Sequence, residues 1–189
     1  EGTMKQVALA VAILAAAVPA AAQDYSHGRI RHVEGGATLQ RASEPGSEEA
    51  LRNLPLLPGD RVWTDETGRI ELQFGGGTIV RLGERGKLDY IEHEDERDGG
   101  KVVLRLWSGS LTVHARDGRS SPAFEIETPG GLAEVQSEAV IRLDVAFGET
   151  RMAVLHGRAR LDNGRRRETA EAGAGTRGRP GGGPARPAR

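Results

Sequence analysis

The sequence predicts an all-β protein, on three observations: apolar and polar residues alternate in short runs, glycine or tight-turn residues separate the runs, and helical periodicity is nearly missing. Strands spaced this closely, with no helical spacer between them, argue for an antiparallel sandwich, a barrel or a short solenoid rather than an α/β fold. Cysteine is absent, which excludes a disulfide framework, thiolate chemistry and lipid attachment through a cysteine. The core must therefore hold the fold together, and about 150 residues of body are enough to build one.

Taken in order, the first clear element is Arg69 to Phe74, where Ile70, Leu72 and Phe74 share one face and Arg69, Glu71 and Gln73 the other. Gly75 to Gly77 turns the chain into Thr78 to Leu82, giving a hairpin. Val102 to Trp107 is a second strand, expected to turn at Ser108 and Gly109 into Leu111 to Val113. Phe124, Ile126 and Thr128 alternate with Glu125 and Glu127. Ala139, Ile141, Leu143 and Val145 form an inward row, Met152 and Val154 another, and Leu161 leads into Asp162-Asn163-Gly164, a tight-turn signal. This pattern gives about a dozen strands. Ile70, Leu72, Phe74, Leu104, Leu106, Phe124, Ile126, Ile141 and Leu143 should all point inward.

Three segments read differently. Ala50, Leu51 and Leu54 have the spacing of a single helical turn, stopped by Pro55 and Pro58. Glu92 to Gly100 is too charged for a strand interior and is expected as an exposed loop. Gly173 to Arg189 has no large apolar residue, so a disordered tail is expected over 174–189 after a β domain at 28–173.

At the other end, Met4-Lys5 leads into the apolar run Val7 to Val18, followed by Pro19 and Ala20-Ala21-Ala22. A positive start, about a dozen apolar residues and an A-x-A site make a cleavable signal peptide over residues 1–22, since a membrane-spanning helix needs roughly 20 apolar residues. The expected location is periplasmic or secreted, without a stable membrane span.

Candidate chemistry is sparse. His27, His32, His93, His114 and His156 are scattered, without the paired spacing of a zinc site. Ser110 and His114 share a strand face but lack an orienting third group, so no triad is expected. Glu94, Asp95, Glu96 and Asp98 could offer oxygens to a hard cation, but the spacing is not that of an EF-hand, and a solvated turn is the plainer reading. The glycines at 75–77 have no phosphate-loop context. No catalytic residue, metal site or cofactor is expected. Arg165, Arg166, Arg167, Arg177, Arg179, Arg186 and Arg189 are the candidate interaction residues, for anionic envelope material rather than nucleic acid, which an exported chain with a mildly acidic body rarely meets.

Motifs in order then carry a family resemblance: Leu57-Pro58-Gly59-Asp60-Arg61-Val62-Trp63-Thr64, Gly68 to Phe74, Gly77 to Leu82, Gly109-Ser110-Leu111, and Phe124 to Pro129 followed by Val154-Leu155-His156-Gly157-Arg158-Ala159. Together they resemble the FecR domain over residues 28 to 173. Gln136-Ser137-Glu138 departs from it, where the family usually has a Gly-Thr pair. The resemblance implies a FecR-like antiparallel β-sandwich or short β-solenoid, in which Gly59, Asp60, Thr64, Gly77, Gly109, Thr128, Pro129 and Gly157 are structural motif residues. Signalling members act with iron-siderophore receptors on an extracytoplasmic-function sigma factor through a cytoplasmic segment. This chain, read as beginning with a signal, resembles instead the stand-alone exported members. Three functions are therefore expected, in this order: a non-enzymatic module binding an envelope protein or anionic polymer, a periplasmic signalling adjunct, and an envelope polysaccharide-active enzyme.

Overall fold

The computed structural model describes residues 28–94, 100–116, 121–164 and 167–178. The expected signal peptide lies outside these residues. The first strands are β1 (Gly28–Glu34), β2 (Ala37–Gln40), β3 (Glu48–Glu49), β4 (Pro55–Leu56), β5 (Arg61–Thr64) and β6 (Arg69–Gln73). After a 3₁₀ turn at Gly75–Gly77 come β7 (Ile79–Leu82), β8 (Lys87–Glu94), the long β9 (Lys101–His114), β10 (Ala123–Thr128) and β11 (Gly131–Val135). The described residues end in β12 (Val140–Ala146), β13 (Glu149–His156), β14 (Arg158–Asp162), β15 (Arg167–Glu171) and β16 (Gly175–Gly178).

These strands form two sheets that share β9. Sheet I runs β4-β1-β6-β7-β9-β12-β13-β16, using the second half of β9. Sheet II runs β3-β2-β5-β8-β9-β10-β11-β14-β15, using its first half. The sheets face one another over a single apolar core. Phe74 of sheet I meets Tyr90 and Phe124 of sheet II edge to face, at centroid distances of 5.5 and 5.4 Å.

Most of the first half's passages between the sheets follow one crease, although the chain from β4 to β5 crosses at the other edge, beside Tyr90. Along the crease Asp65 N–H donates to Gly36 O at 3.0 Å, Arg85 N–H to Asp65 O at 2.8 Å, and the Ser108 hydroxyl to Arg85 O at 3.2 Å. The second half crosses at the opposite edge, where Ala115 N–H donates to Ala139 O and Ala172 N–H to Gly157 O. Between the two crossings the chain completes one solenoid turn, from the start of β9 to the start of β10. A full turn brings the strand back in the same direction, and β9 with β10 is the one parallel pair among the described residues. The fold is thus an antiparallel sandwich with a solenoid turn inside it.

All nine residues expected to point inward are buried. Four local readings need correction. Ser108 and Gly109 do not reverse the chain: β9 is continuous, and Gly109 at φ +87° bends it. The bend shifts the inward phase from Val102, Leu104 and Leu106 to Leu111 and Val113. Residues 48–54 form no helical turn: Glu48–Glu49 pairs with β2, Ala50 N–H donates to Ala37 O, and the turn closed by Leu54 N–H on Leu51 O holds Asn53 at φ +68°. Glu92 to Glu94 are strand, not loop, since Glu94 pairs opposite Lys101 in β9; 95–99 lie outside the described residues. Finally, residues 175–178 of the expected tail are β16, held to β13 by backbone bonds that need no apolar side chain.

Replacing Phe74 with alanine removes the ring that bridges the sheets and should cost about 3–5 kcal/mol in urea unfolding, whereas Leu155→Ala, at an exposed position, should change stability by less than about 0.5 kcal/mol. Equal effects would show that Phe74 does not join the sheets.

Candidate functional site

Alternation that buries Val62, Leu88, Leu104 and Leu106 necessarily turns Arg61, Trp63, Lys87, Asp89, Arg105 and Trp107 to the outer face of sheet II. Both tryptophans of the chain lie there. They sit on strands separated only by β8, so about 10 Å apart, and Lys87 of β8 lies between them.

Asp89 organises this face. Arg61 forks onto both of its carboxylate oxygens, with Nη2 2.7 Å from Oδ2, and the Trp107 indole N–H donates to Oδ2 at 2.9 Å. Burial by itself would raise the Asp89 pKa. The Arg61 and Trp107 hydrogen bonds outweigh it and hold the carboxyl below the ordinary aspartate range. Cations also stack on both indoles: Arg61 lies 5.8 Å from the Trp63 ring, and Lys87 and Arg105 lie 5.4 and 5.5 Å from Trp107. Further along, Arg105 pairs with Glu127 at 2.6 Å and Arg160 with Glu134 at 3.0 Å. Trp107 nevertheless remains 43% exposed. The result is a flat face with fixed aromatic surface at its centre and paired charges around it.

The motif residues occupy different ground, at corners and turns. Asp60 is buried and accepts hydrogen bonds from Ala42 N–H, Leu57 N–H and Arg41, at 3.1, 3.0 and 2.8 Å, while Gly59 N–H donates to Tyr90 O. The Thr64 hydroxyl donates to Gly83 O and accepts from Gly86 N–H, closing the crease beside Gly109. Thr128 donates to Gly131 O across the turn at Pro129 and accepts from the Thr150 hydroxyl. Gly77 and Gly157 have φ of +78° and +71° at a turn and at the second crease.

The candidate arginines are divided. Arg165, Arg166, Arg179, Arg186 and Arg189 lie outside the described residues. Arg167 pairs with Asp162 at 2.9 Å in the β14–β15 hairpin, and Arg177 stands on β16 in the other sheet. Glu94 of the acidic segment pairs with Lys101, whereas Asp95, Glu96 and Asp98 lie outside the described residues. Among the described residues, no three His, Cys, Asp or Glu side chains come together to hold a metal ion. The tryptophan face escaped the sequence reading, although its signal was present: Trp63 and Trp107 fall on the polar phase of their strands.

A sequence profile described as FecR protein matches residues 60–160, more than half of the chain. The chain belongs to the FecR family. The FecR segment runs from Asp60 into β14 and contains Trp63, Asp89, Trp107 and the crossing at Gly109. It is narrower than the 28 to 173 suggested by the motifs, leaving β1 to β4 and β15 and β16 as flanking strands. Two crystal structures of a proposed anti-sigma factor from Parabacteroides distasonis share the fold, each with a TM-score of 0.51, at 13% and 12% identity. Each alignment covers 61% of this chain and 52% of the other, so the FecR chain spans about half the length of those proteins. Comparison with curated proteins finds no match.

The depressed Asp89 pKa gives a signed pH dependence. A carboxyl with a lowered folded value contributes stability that is present above the ordinary aspartate value of about 3.9 and is lost as pH falls through the folded value. The stability difference between the parent and Asp89→Asn, followed by urea unfolding, should therefore narrow as pH drops below about 4. A difference that stays constant with pH would show that Asp89 is not held in this network.

Proposed function

We propose that this FecR-family chain is an exported, non-catalytic recognition module of the bacterial envelope, and that it holds a protein partner against the Trp63–Trp107 face of sheet II. The observation that carries this reading is the half-exposed Trp107, fixed by Asp89 and flanked by Lys87 and Arg105. Interfaces concentrate their binding energy in tryptophan, tyrosine and arginine, and an indole already locked in place loses little entropy when it is covered. Charge fits the same role, because the acids of the face are committed to cations: Asp89 to Arg61, Glu127 to Arg105 and Glu134 to Arg160. Carboxylates tied up in this way serve a contact surface better than they serve proton transfer, which favours recognition over hydrolysis of a polysaccharide. Export rests on the signal pattern of residues 4 to 22.

A second reading, a signalling adjunct related to the regulators of sigma factors, is favoured by family membership and by the anti-sigma description of the two structural neighbours. It uses the same face, with a receptor or membrane regulator as the protein partner.

The test is photo-crosslinking in envelope fractions, with a crosslinker placed at Ser108 beside the tryptophans. A defined protein adduct should form, and Trp107→Ala should weaken capture by about tenfold or more, as expected for the loss of an anchor worth roughly 1–2 kcal/mol, while Arg142→Ala on sheet I leaves it unchanged. An adduct insensitive to Trp107, or no adduct at all, would overturn the assignment.

A further inference from the structure

A second surface, on the far sheet, is independent of the tryptophan face. The β12–β13 hairpin closes through two residues, Phe147 and Gly148, at φ +52° and +77°. Such turns favour Asn-Gly or Gly-Gly, because the first position puts a side chain in the left-handed region. Four described non-glycine residues have positive φ: Asn53, Arg85, Glu138 and Phe147. Phe147 is the apolar one, and it is fully exposed, at 105%. Neither turn geometry nor core packing asks for this ring. A strained, solvated phenylalanine at a hairpin tip points to a role outside the fold.

The row that starts at Phe147 continues along the outer side of β13 through Glu149, Arg151, Ala153 and Leu155. Leu155 is 59% exposed. Beside this row, at the edge of sheet I, β16 sets Arg177 directly opposite Arg151. Like charges facing each other across a strand pair destabilise a sheet unless something neutralises them. Neither arginine has an ion pair among the described residues. Asp144, which faces Arg151 from β12, is forked instead by Arg142 at 2.7 Å. β16 runs toward the Phe147 end, with Gly178 opposite Thr150, and the sequence past it adds Arg179, Arg186 and Arg189 with no acid.

From these observations we infer that the Phe147 tip and the Arg151–Arg177 pair form a docking surface for an anionic lipid membrane, with the ring entering the acyl boundary and the guanidinium groups meeting headgroup phosphates. Charge complementarity explains why two arginines are left facing each other. The apolar residues at both ends of the row distinguish a lipid surface from a soluble acidic polymer, since only the former has an apolar phase for the ring. Among the described residues no helix is long and apolar enough to cross a membrane. Docked in this way, the sandwich lies with sheet I toward the lipid and the tryptophans of sheet II toward the aqueous side.

The test uses the full chain carrying Phe147→Trp, with vesicles of phosphatidylglycerol and phosphatidylcholine whose acyl chains are brominated, so that quenching reports depth at position 147 whatever the N-terminal segment does. Trp63 and Trp107 on the opposite face serve as the internal reference. Quenching beyond the parent's should appear with phosphatidylglycerol and fade as salt rises. Each arginine near an anionic surface contributes about 1 kcal/mol, so adding Arg151→Gln and Arg177→Gln should raise the half-saturating lipid concentration roughly 25-fold. In parallel, Phe147→Asn, which suits the turn, should abolish binding to the same vesicles at this face without lowering the melting temperature. No added quenching at position 147, quenching indifferent to both arginines, or equal binding of the parent and Phe147→Asn to soluble polyglutamate in preference to vesicles would overturn the inference.

Discussion

At Gly109 the strand shared by both sheets passes so close to its neighbour that a methyl group on Gly109 would sit 2.7 Å from the Gly86 Cα and 3.2 Å from the Arg85 carbonyl oxygen. This backbone-to-backbone contact is what allows β9 to leave one sheet and enter the other without a loop. The bend fixes the phase of the inward residues on either side, so that Leu106 and Leu111 both face the core although five positions separate them. Registers in both sheets follow from it, because β7, β8, β10 and β12 all pair with β9. Thr64 braces the same crease from β5 through its bonds to Gly83 and Gly86.

With the core enclosed between two sheets, each outer face is free to carry its own chemistry. Sheet II concentrates the aromatic surface, and the hydrogen bond to Asp89 holds the Trp107 indole in place. Sheet I carries paired charges near its middle, such as Glu71 with Arg31 and Arg81, and sets Arg151 opposite Arg177 at the β16 edge. That division gives a physical basis for a module that meets two different environments at once.

Much of the architecture was legible because it depends on period-two alternation, which sequence displays directly: Ile70, Leu72, Phe74, Ile141 and Leu143 could be placed inward from their neighbours alone. The family was legible from turn chemistry at Gly59-Asp60 and Thr128-Pro129. What stayed hidden was set by partners distant in the chain. β16 has no apolar pattern, and its place comes from backbone pairing with β13. The phase shift at Gly109 depends on Gly86, and the apparent helical turn at Ala50, Leu51 and Leu54 yields to pairing with β2. The tryptophan face likewise arises from cross-strand contacts, Arg61 with Asp89 and Asp89 with Trp107, which link residues far apart in sequence.

The most direct measurement is the unfolding free energy of Gly109→Ala beside that of Gly164→Ala. Gly164 also has a positive φ, +78°, but nothing lies within 4 Å of where its methyl would stand, so its substitution reports backbone strain alone, about 1–2 kcal/mol. If the crease contact governs the fold, Gly109→Ala should cost at least about 2 kcal/mol more than Gly164→Ala, and signals from both sheets should be lost in one transition. Equal costs at the two positions would contradict the account.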